Sequence, residues 1–214
     1  MSSERPCNVT ELTPEEINEN FARFRSVCEK LGDRVPAVLA MLDELEERLA
    51  LAPASAKTSY HCAYPGGLCA HSLRVLNGVL TVNKAFEWGL KKESMIIVSL
   101  FHDLGKLGLP GEGNEYYVSQ KDDWRRNKLG EMYGYNDNIP YMTTGDRTMY
   151  MLQHYGVKLT PEEWIAIRIS DGYLVDENKP YGLKSSKLAM AVQMADYKAT
   201  MDEGNTKRFW NEEE

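Results

Sequence analysis

Apolar residues recur three and four positions apart through most of the chain, the spacing that lines one face of a helix. Ile17, Phe21 and Phe24 form the first such stripe, and Val38, Leu42, Leu45 and Leu49 form another within residues 35–50. Further helical stretches run from Leu68 to about Trp88 and from Glu93 to Leu104, and the pattern returns at about Arg147 to Tyr155, Thr160 to Ile169 and Ser185 to Met201. Thr13-Pro14-Glu15-Glu16 and Thr160-Pro161-Glu162-Glu163 each combine a threonine N-cap, a first-turn proline and a capping-box glutamate, so each should open a helix. Met95-Ile96-Ile97-Val98 leaves no polar face, which predicts a central helix covered on most sides.

The breaks between these stretches are also informative. Leu51 to Tyr60, rich in alanine, serine and proline, reads as a linker, and Pro65-Gly66-Gly67 reads as a turn. Gly105 is placed to cap the helix before it, which would leave His102 and Asp103 in the last helical turn. From Gly105 to Gly145, glycine, tyrosine, asparagine and charged residues replace the apolar periodicity, with short candidate strands near Glu115 to Val118 and Glu131 to Tyr135. The expected fold is all-α: a helical bundle with a long loop or small β-hairpin insertion at about 106–145. Residues 1–58 are expected to form a helical extension packed on a core spanning 59–201, and residues 202–214 a tail ending in Glu212-Glu213-Glu214.

Composition narrows the possible partners. The 214 residues are 43% hydrophobic and 27% charged, which suits one sizeable core. The net charge of −7 argues against strong nonspecific binding to nucleic acid or to anionic membrane, so any phosphate recognition must be local. No apolar run approaches the ~20 residues of a membrane span, and Met1-Ser2-Ser3-Glu4-Arg5 lacks a signal-peptide core. Cys7, Cys28, Cys62 and Cys69 form no Cys-X-X-Cys pair and are expected as reduced thiols, so the expected compartment is the cytoplasm. Oligomeric state is left open.

Four histidines, His61, His71, His102 and His154, make the candidate chemistry easy to locate. His71 shares a helical face with Val75, Gly78 and Val82, which points it inward. His102 and Asp103 follow one of the most apolar runs in the chain, where a buried carboxylate needs a cation or a metal. Adjacent helical residues point about 100° apart, so both can reach an ion lying between them. Asp196 falls on the stripe of Leu188, Ala189 and Val192, a second carboxylate on an apolar face. Two imidazoles and two carboxylates suit a catalytic transition-metal site with positions left for water.

In order and spacing these residues resemble the HD-domain metal-dependent phosphohydrolases, whose ligands run H…HD…D across an all-helical core. The resemblance extends from about Ser59 to Thr200. It is carried by Tyr64-Pro65-Gly66-Gly67-Leu68 leading to His71, by His102-Asp103-Leu104-Gly105-Lys106, by Glu162-Glu163-Trp164-Ile165-Ala166-Ile167 and by Met194-Ala195-Asp196. It implies that His71, His102, Asp103 and Asp196 hold one divalent metal ion (Mn, Mg, Co, Ni, Fe or Zn) and that Lys106 faces phosphate or positions water. The implied substrate is a small phosphorylated molecule, above all a nucleotide, cleaved at a phosphoester or phosphoanhydride. Two-metal members often carry a histidine where this chain reads Arg168-Ile169-Ser170-Asp171-Gly172; one ion is therefore expected, with Asp171 available as ligand, acid or base. The opening His102-Asp103-Leu104-Gly105-Lys106-Leu107-Gly108-Leu109-Pro110 also resembles the cyclic-dinucleotide phosphodiesterases, but their later histidine pair and Gly-Tyr-Pro word are missing.

Other residues enter as substrate contacts. Arg74, one helical turn from His71, is a candidate for phosphate, and His61, just before the turn that delivers His71, is a candidate for substrate. In the insertion, Lys121, Arg125 and Lys128, with Trp124, Arg126 and Tyr116, Tyr117, Tyr133 and Tyr135, suggest a lid of phosphate-binding cations and stacking rings; the alternative is a solvated hairpin. A rival metal set, His61 and Cys62 with Cys69 and His71, has a gap wider than a zinc knuckle usually shows. His154 has no apparent partner. The competing functional classes are a nucleotide-binding or sensor module that keeps the fold without turnover, and a helical scaffold whose inward charges are structural ion pairs.

Overall fold

The computed structural model describes residues 11–173 and 175–204; Cys7 and the terminal glutamates lie outside them. The described chain is mostly helical. It comprises α1 (Pro14–Cys28), α2 (Val35–Glu44), α3 (Glu46–Leu51), α4 (Gly67–Ala85), α5 (Lys92–Phe101), β1 (Tyr117–Ser119), α6 (Asp123–Leu129), β2 (Tyr133–Tyr135), α7 (Thr144–His154), α8 (Pro161–Arg168) and α9 (Lys187–Glu203). Both predicted capping boxes form: Thr13 and Thr160 accept from the backbone of Glu16 and Glu163, whose carboxylates reach back to the cap.

The α4 and α9 helices lie side by side at the centre, with α5 and α1 against α4, and α8 bridging α5, α7 and α9. One continuous apolar core runs from Phe21 and Phe24 of α1 through Ile97 and Phe101 of α5 to Leu188 and Val192 of α9. Phe24 meets Phe101 edge-on, with ring centroids 5.6 Å apart, so α1 shares the core of the later helices. The contact of α4 with α9 depends on Gly78: a Cβ there would lie 2.8 Å from that of Ala195, closer than two side chains tolerate.

Several local expectations need correction. Residues 35–50 form two helices, because Leu45 leaves helical geometry (φ −100°, ψ 12°); the bend keeps both Leu45 and Leu49 inside. The segment expected as a linker is largely interior. Ala52, Ala54, Ser55 and Ala56 are buried, and their small side chains let the backbone run inside while its polar groups are paired. Leu68 N–H donates to Ala52 O, Ala54 N–H to Cys62 O, and both Met132 and Tyr133 N–H to Ala56 O, which joins the insertion to the core. β1 and β2 pair antiparallel, Tyr117 opposite Tyr135, but α6 between them was not anticipated. Asp122 caps it by accepting from Trp124 and Arg125 N–H. The α5 helix ends at Phe101, so His102 is its C-cap and Asp103 begins a 3-10 turn over Leu104–Leu107. Gly105 lies in that turn without the left-handed backbone of a glycine cap. It is needed for close approach, since a Cβ there would lie 2.2 Å from Thr144 O.

The buried Glu163 secures α8 to the neighbouring elements. Its carboxylate accepts from Arg34 Nη1 at 2.9 Å, Ser94 Oγ at 2.7 Å and Thr160 N–H at 2.8 Å. Burial alone would raise its pKa, but the Thr160, Ser94 and Arg34 donors outweigh that and hold it below the ordinary glutamate value. A carboxyl depressed in the folded state stabilises above its unfolded pKa and loses that contribution as pH falls through the folded one. Glu163→Ala, which leaves the Arg34 charge without its buried partner, should cost about 3 kcal/mol in urea unfolding at pH 7. The gap from wild type should narrow as pH falls below about 4.

Candidate metal centre

The central helix pair and the end of α5 bring four of the expected residues together. His71 comes from the second turn of α4 and is fully buried, His102 and Asp103 follow α5, and Asp196 lies on α9 beside Ala195, the residue that Gly78 contacts. His71 Nε2 lies 3.0 Å from Asp196 Oδ1 and 3.8 Å from Asp103 Oδ2; His102 Nε2 lies 3.6 Å and 3.4 Å from the same two oxygens.

Neither Nε2 has a hydrogen-bond partner although both are buried. The opposite ring nitrogens are engaged. His102 Nδ1 donates to Ser99 O at 2.9 Å, and His71 Nδ1 donates to Glu203 Oε2 at 2.8 Å. Each hydrogen bond fixes the tautomer that turns the Nε2 lone pair toward the carboxylates. Donors around an ion at about 2.1 Å lie roughly 3–4 Å apart, so His71, His102 and Asp196 fit a divalent cation, while Asp103 Oδ2, close to both imidazoles, is engaged by Lys106. The donor atoms of His71, His102 and Asp196 all lie within 4.8 Å of one another, as do those of His61, His71 and Glu203.

The charges compensate one another even without an ion. Burial alone would depress both imidazoles, but Asp103 and Asp196 hold His102 well above its ordinary pKa, while Asp196 and Glu203 raise His71. Against the upward pull of burial, Lys106 and His102 hold Asp103 well below the carboxylate range, and His102 and His71 lower Asp196. Lys106 Nζ lies 2.6 Å from Asp103 Oδ2. The cluster thus draws in positive charge, whether as protons or as a metal.

Glu203 was not among the expected site residues. It follows Asp196 by seven positions, two helical turns, and so shares its face; that spacing was the available signal. Its second oxygen accepts from Arg74 Nη1 at 2.8 Å. Arg74 therefore reaches the centre through Glu203 and His71. Arg147 and Thr148 of α7 were also missed, because their partners are backbone groups that no sequence spacing reveals. Arg147 Nη1 donates to Gly105 O at 2.9 Å, and the Thr148 hydroxyl accepts from Gly105 N–H at 2.8 Å and donates to His102 O at 3.3 Å. Together they clamp the corner that carries His102, Asp103 and Lys106.

His61 stacks obliquely on His71, with ring centroids 4.7 Å apart, and its Nε2 is buried without a partner. Burial, with the nearby Lys106 and His71 charges, holds its pKa down to about 4. It lines a cavity of about 390 Å³ with Lys106, Tyr117 and Tyr135. Asp171 is exposed, and its carboxyl is raised by the protein around it and by the Asp103 charge; Ser170 turns its hydroxyl to Ile167 O at 3.0 Å. Lys121, Arg125 and Lys128 are exposed around α6, away from the residues lining the cavity, and Arg125 pairs with Glu131 at 3.1 Å. The cysteine-containing set does not assemble: among the described residues, no cysteine belongs to a group able to hold an ion. Cys69 Sγ instead donates to Leu49 O, and Cys62 Sγ accepts from Tyr64. His154 is exposed beside Tyr150 and Tyr155.

Compared with known proteins, the chain matches no family model, no curated protein and no solved structure.

Removing the carboxylate that orients a metal-binding imidazole typically weakens metal affinity 10–100-fold. Glu203→Ala should therefore weaken Mn²⁺ binding by about that factor in a competition titration against a chelating dye, while the far-ultraviolet circular dichroism spectrum stays as in wild type.

Proposed function

We propose that this chain is a metal-dependent phosphohydrolase with an HD-domain fold, cleaving a phosphoester or phosphoanhydride, above all of a nucleotide. The observation that carries this reading is the convergence of two tautomer-fixed imidazoles and two carboxylates beside Lys106, which pairs with Asp103 and lines a cavity. The order H…HD…D, with Gly105 and Lys106 following, supports the family assignment. The cytoplasm remains the expected compartment; no helix among the described residues is long and apolar enough to cross a membrane.

His71, His102, Asp103 and Asp196 would hold the ion. A divalent cation bound there supplies Lewis acidity, which lowers the pKa of a water and offsets charge on phosphoryl oxygens. Lys106, fixed by Asp103, presents its ammonium where negative charge builds on the phosphoryl group during attack. Asp171, exposed just after Ser170, is the carboxylate that would serve proton transfer at the attacking water or the leaving group. His61, uncharged at neutral pH, offers a hydrogen bond to the substrate body without adding to the cluster's charge.

A second reading, a nucleotide-binding or sensor module without turnover, is favoured by Ser170. Ser170 or Asp171 occupies the place where two-metal members often carry a histidine, and Ser170 spends its hydroxyl on the backbone. Metal analysis of the purified protein, followed by phosphate release from a nucleotide panel with Mn²⁺, Mg²⁺, Co²⁺ or Ni²⁺, separates the two. The hydrolase should release phosphate, and Asp103→Ala should lose both the ion and more than about a hundredfold in kcat/KM. Metal content and turnover unchanged in Asp103→Ala would refute the proposed site; nucleotide binding without phosphate release would favour the sensor.

A further inference from the structure

Two cavities meet at Lys106 and Tyr117, which line both of them. The cavity of about 390 Å³, on the His61 side, is walled by Ser55, His61, Tyr117, Tyr135 and Thr200; among the described residues lining it, Lys106 is the only lysine or arginine. The other, of about 540 Å³, is bordered by Glu44, Glu47, Glu112 and Glu115. Its Arg48 is already committed, donating to Leu109 O and Gly111 O at 2.7 Å each and to Glu115 at 2.9 Å.

A phosphate at the metal edge can therefore meet Lys106, but a chain of phosphates leading away from it meets either uncharged walls or glutamates. Each additional phosphate carries at least about one negative charge at neutral pH and needs a cation or several N–H donors when taken out of water. Arg74 does not supply one, because it lines neither cavity and its guanidinium faces Glu203. The walls on the His61 side suit a different ligand part. Three tyrosine rings, three serine or threonine side chains and an imidazole can enclose an uncharged, ring-bearing, hydrogen-bonding body, and a volume near the lower end of small-molecule sites fits about one such unit.

Resting on the hydrolase reading above, we propose that the substrate carries a single phosphate group on an uncharged ring-bearing body of nucleoside size. The Lys106 edge takes that phosphate, the His61–Tyr117–Tyr135 cavity takes the body, and polyphosphates are rejected because no uncommitted cation beyond Lys106 lines either cavity among the described residues. Rejection works through unpaired charge and repulsion from the glutamates, the usual means by which a site refuses a close analogue.

Binding and turnover are measured separately on the wild-type protein. The 5′-mono- and 5′-triphosphates of the common ribo- and deoxyribonucleosides are compared at equal free Mn²⁺ and fixed ionic strength. At least one monophosphate should bind and release phosphate, with kcat/KM at least about a hundredfold above that of its own triphosphate, equivalent to about 2.8 kcal/mol of discrimination or more. A triphosphate bound or cleaved as well as its monophosphate overturns the single-phosphate inference and leaves the hydrolase reading standing. A monophosphate bound in preference to its triphosphate but never cleaved does the reverse. Binding of neither class overturns both.

Discussion

The candidate site depends on how closely α4 and α9 approach each other. Without a side chain at Gly78, the two backbones come near enough for Ala195 to pack against α4, and this registers Asp196 opposite His71 and Glu203 behind it. A larger residue at position 78 would clash with Ala195 and press α9 away from α4, the helix that carries His71. The closest helix contact in the core and the polar cluster are thus one construction, and the surrounding apolar packing of α1, α5 and α8 holds it in place.

That construction concentrates three carboxylates, Asp103, Asp196 and Glu203, in a region with little access to water. Such a cluster is stable only if cations face it. Lys106 and Arg74 supply two, one at each end, and the imidazoles lie between them. Glu203 connects two parts of this arrangement: one oxygen orients His71 and the other engages Arg74, which draws its pKa down to about 2 against the effect of burial. Arg74, read from the sequence as a phosphate contact, is in the structure a neighbour of the centre that acts through Glu203.

What could be read from the chain, and what could not, follows from the range of the interactions involved. Helical faces and capping boxes depend on residues three or four apart, so Thr13, Thr160 and the stripe from Ile17 to Phe24 were readable directly. Charges on apolar faces singled out His71, His102, Asp103 and Asp196, which the fold brings together; Glu203 obeyed the same rule but sat too near the end of its helix to stand out. The segment from Ala52 to Ala56 misled because small residues signal an exposed linker as readily as a backbone threaded through the interior. The break at Leu45 and the role of Gly105 depend on tertiary contacts. Thr148 and Arg147 recognise backbone groups more than forty positions away, and no local pattern encodes that.

Arg147 ties the insertion to the candidate site. It is a buried guanidinium held by two carbonyls, Gly105 O and Met142 O, with its charge 4.0 Å from the centre of the Tyr116 ring. A buried cation paired with dipoles and an aromatic face gives up the stronger stabilisation of a carboxylate partner, so its value must lie in what it joins. On one side is the corner that bears His102, Asp103 and Lys106. On the other is the strand entry at Tyr116, next to Tyr117, which walls both cavities. Tyr116 N–H also donates to Leu107 O, closing the connection through the backbone at 3.3 Å. The insertion is therefore anchored on the corner that bears His102, Asp103 and Lys106, so a displacement of either would be transmitted to the other. A cavity wall fixed in this way keeps its distance from Lys106 and Asp103, as the proposed selection of one phosphate on a body of limited size would require.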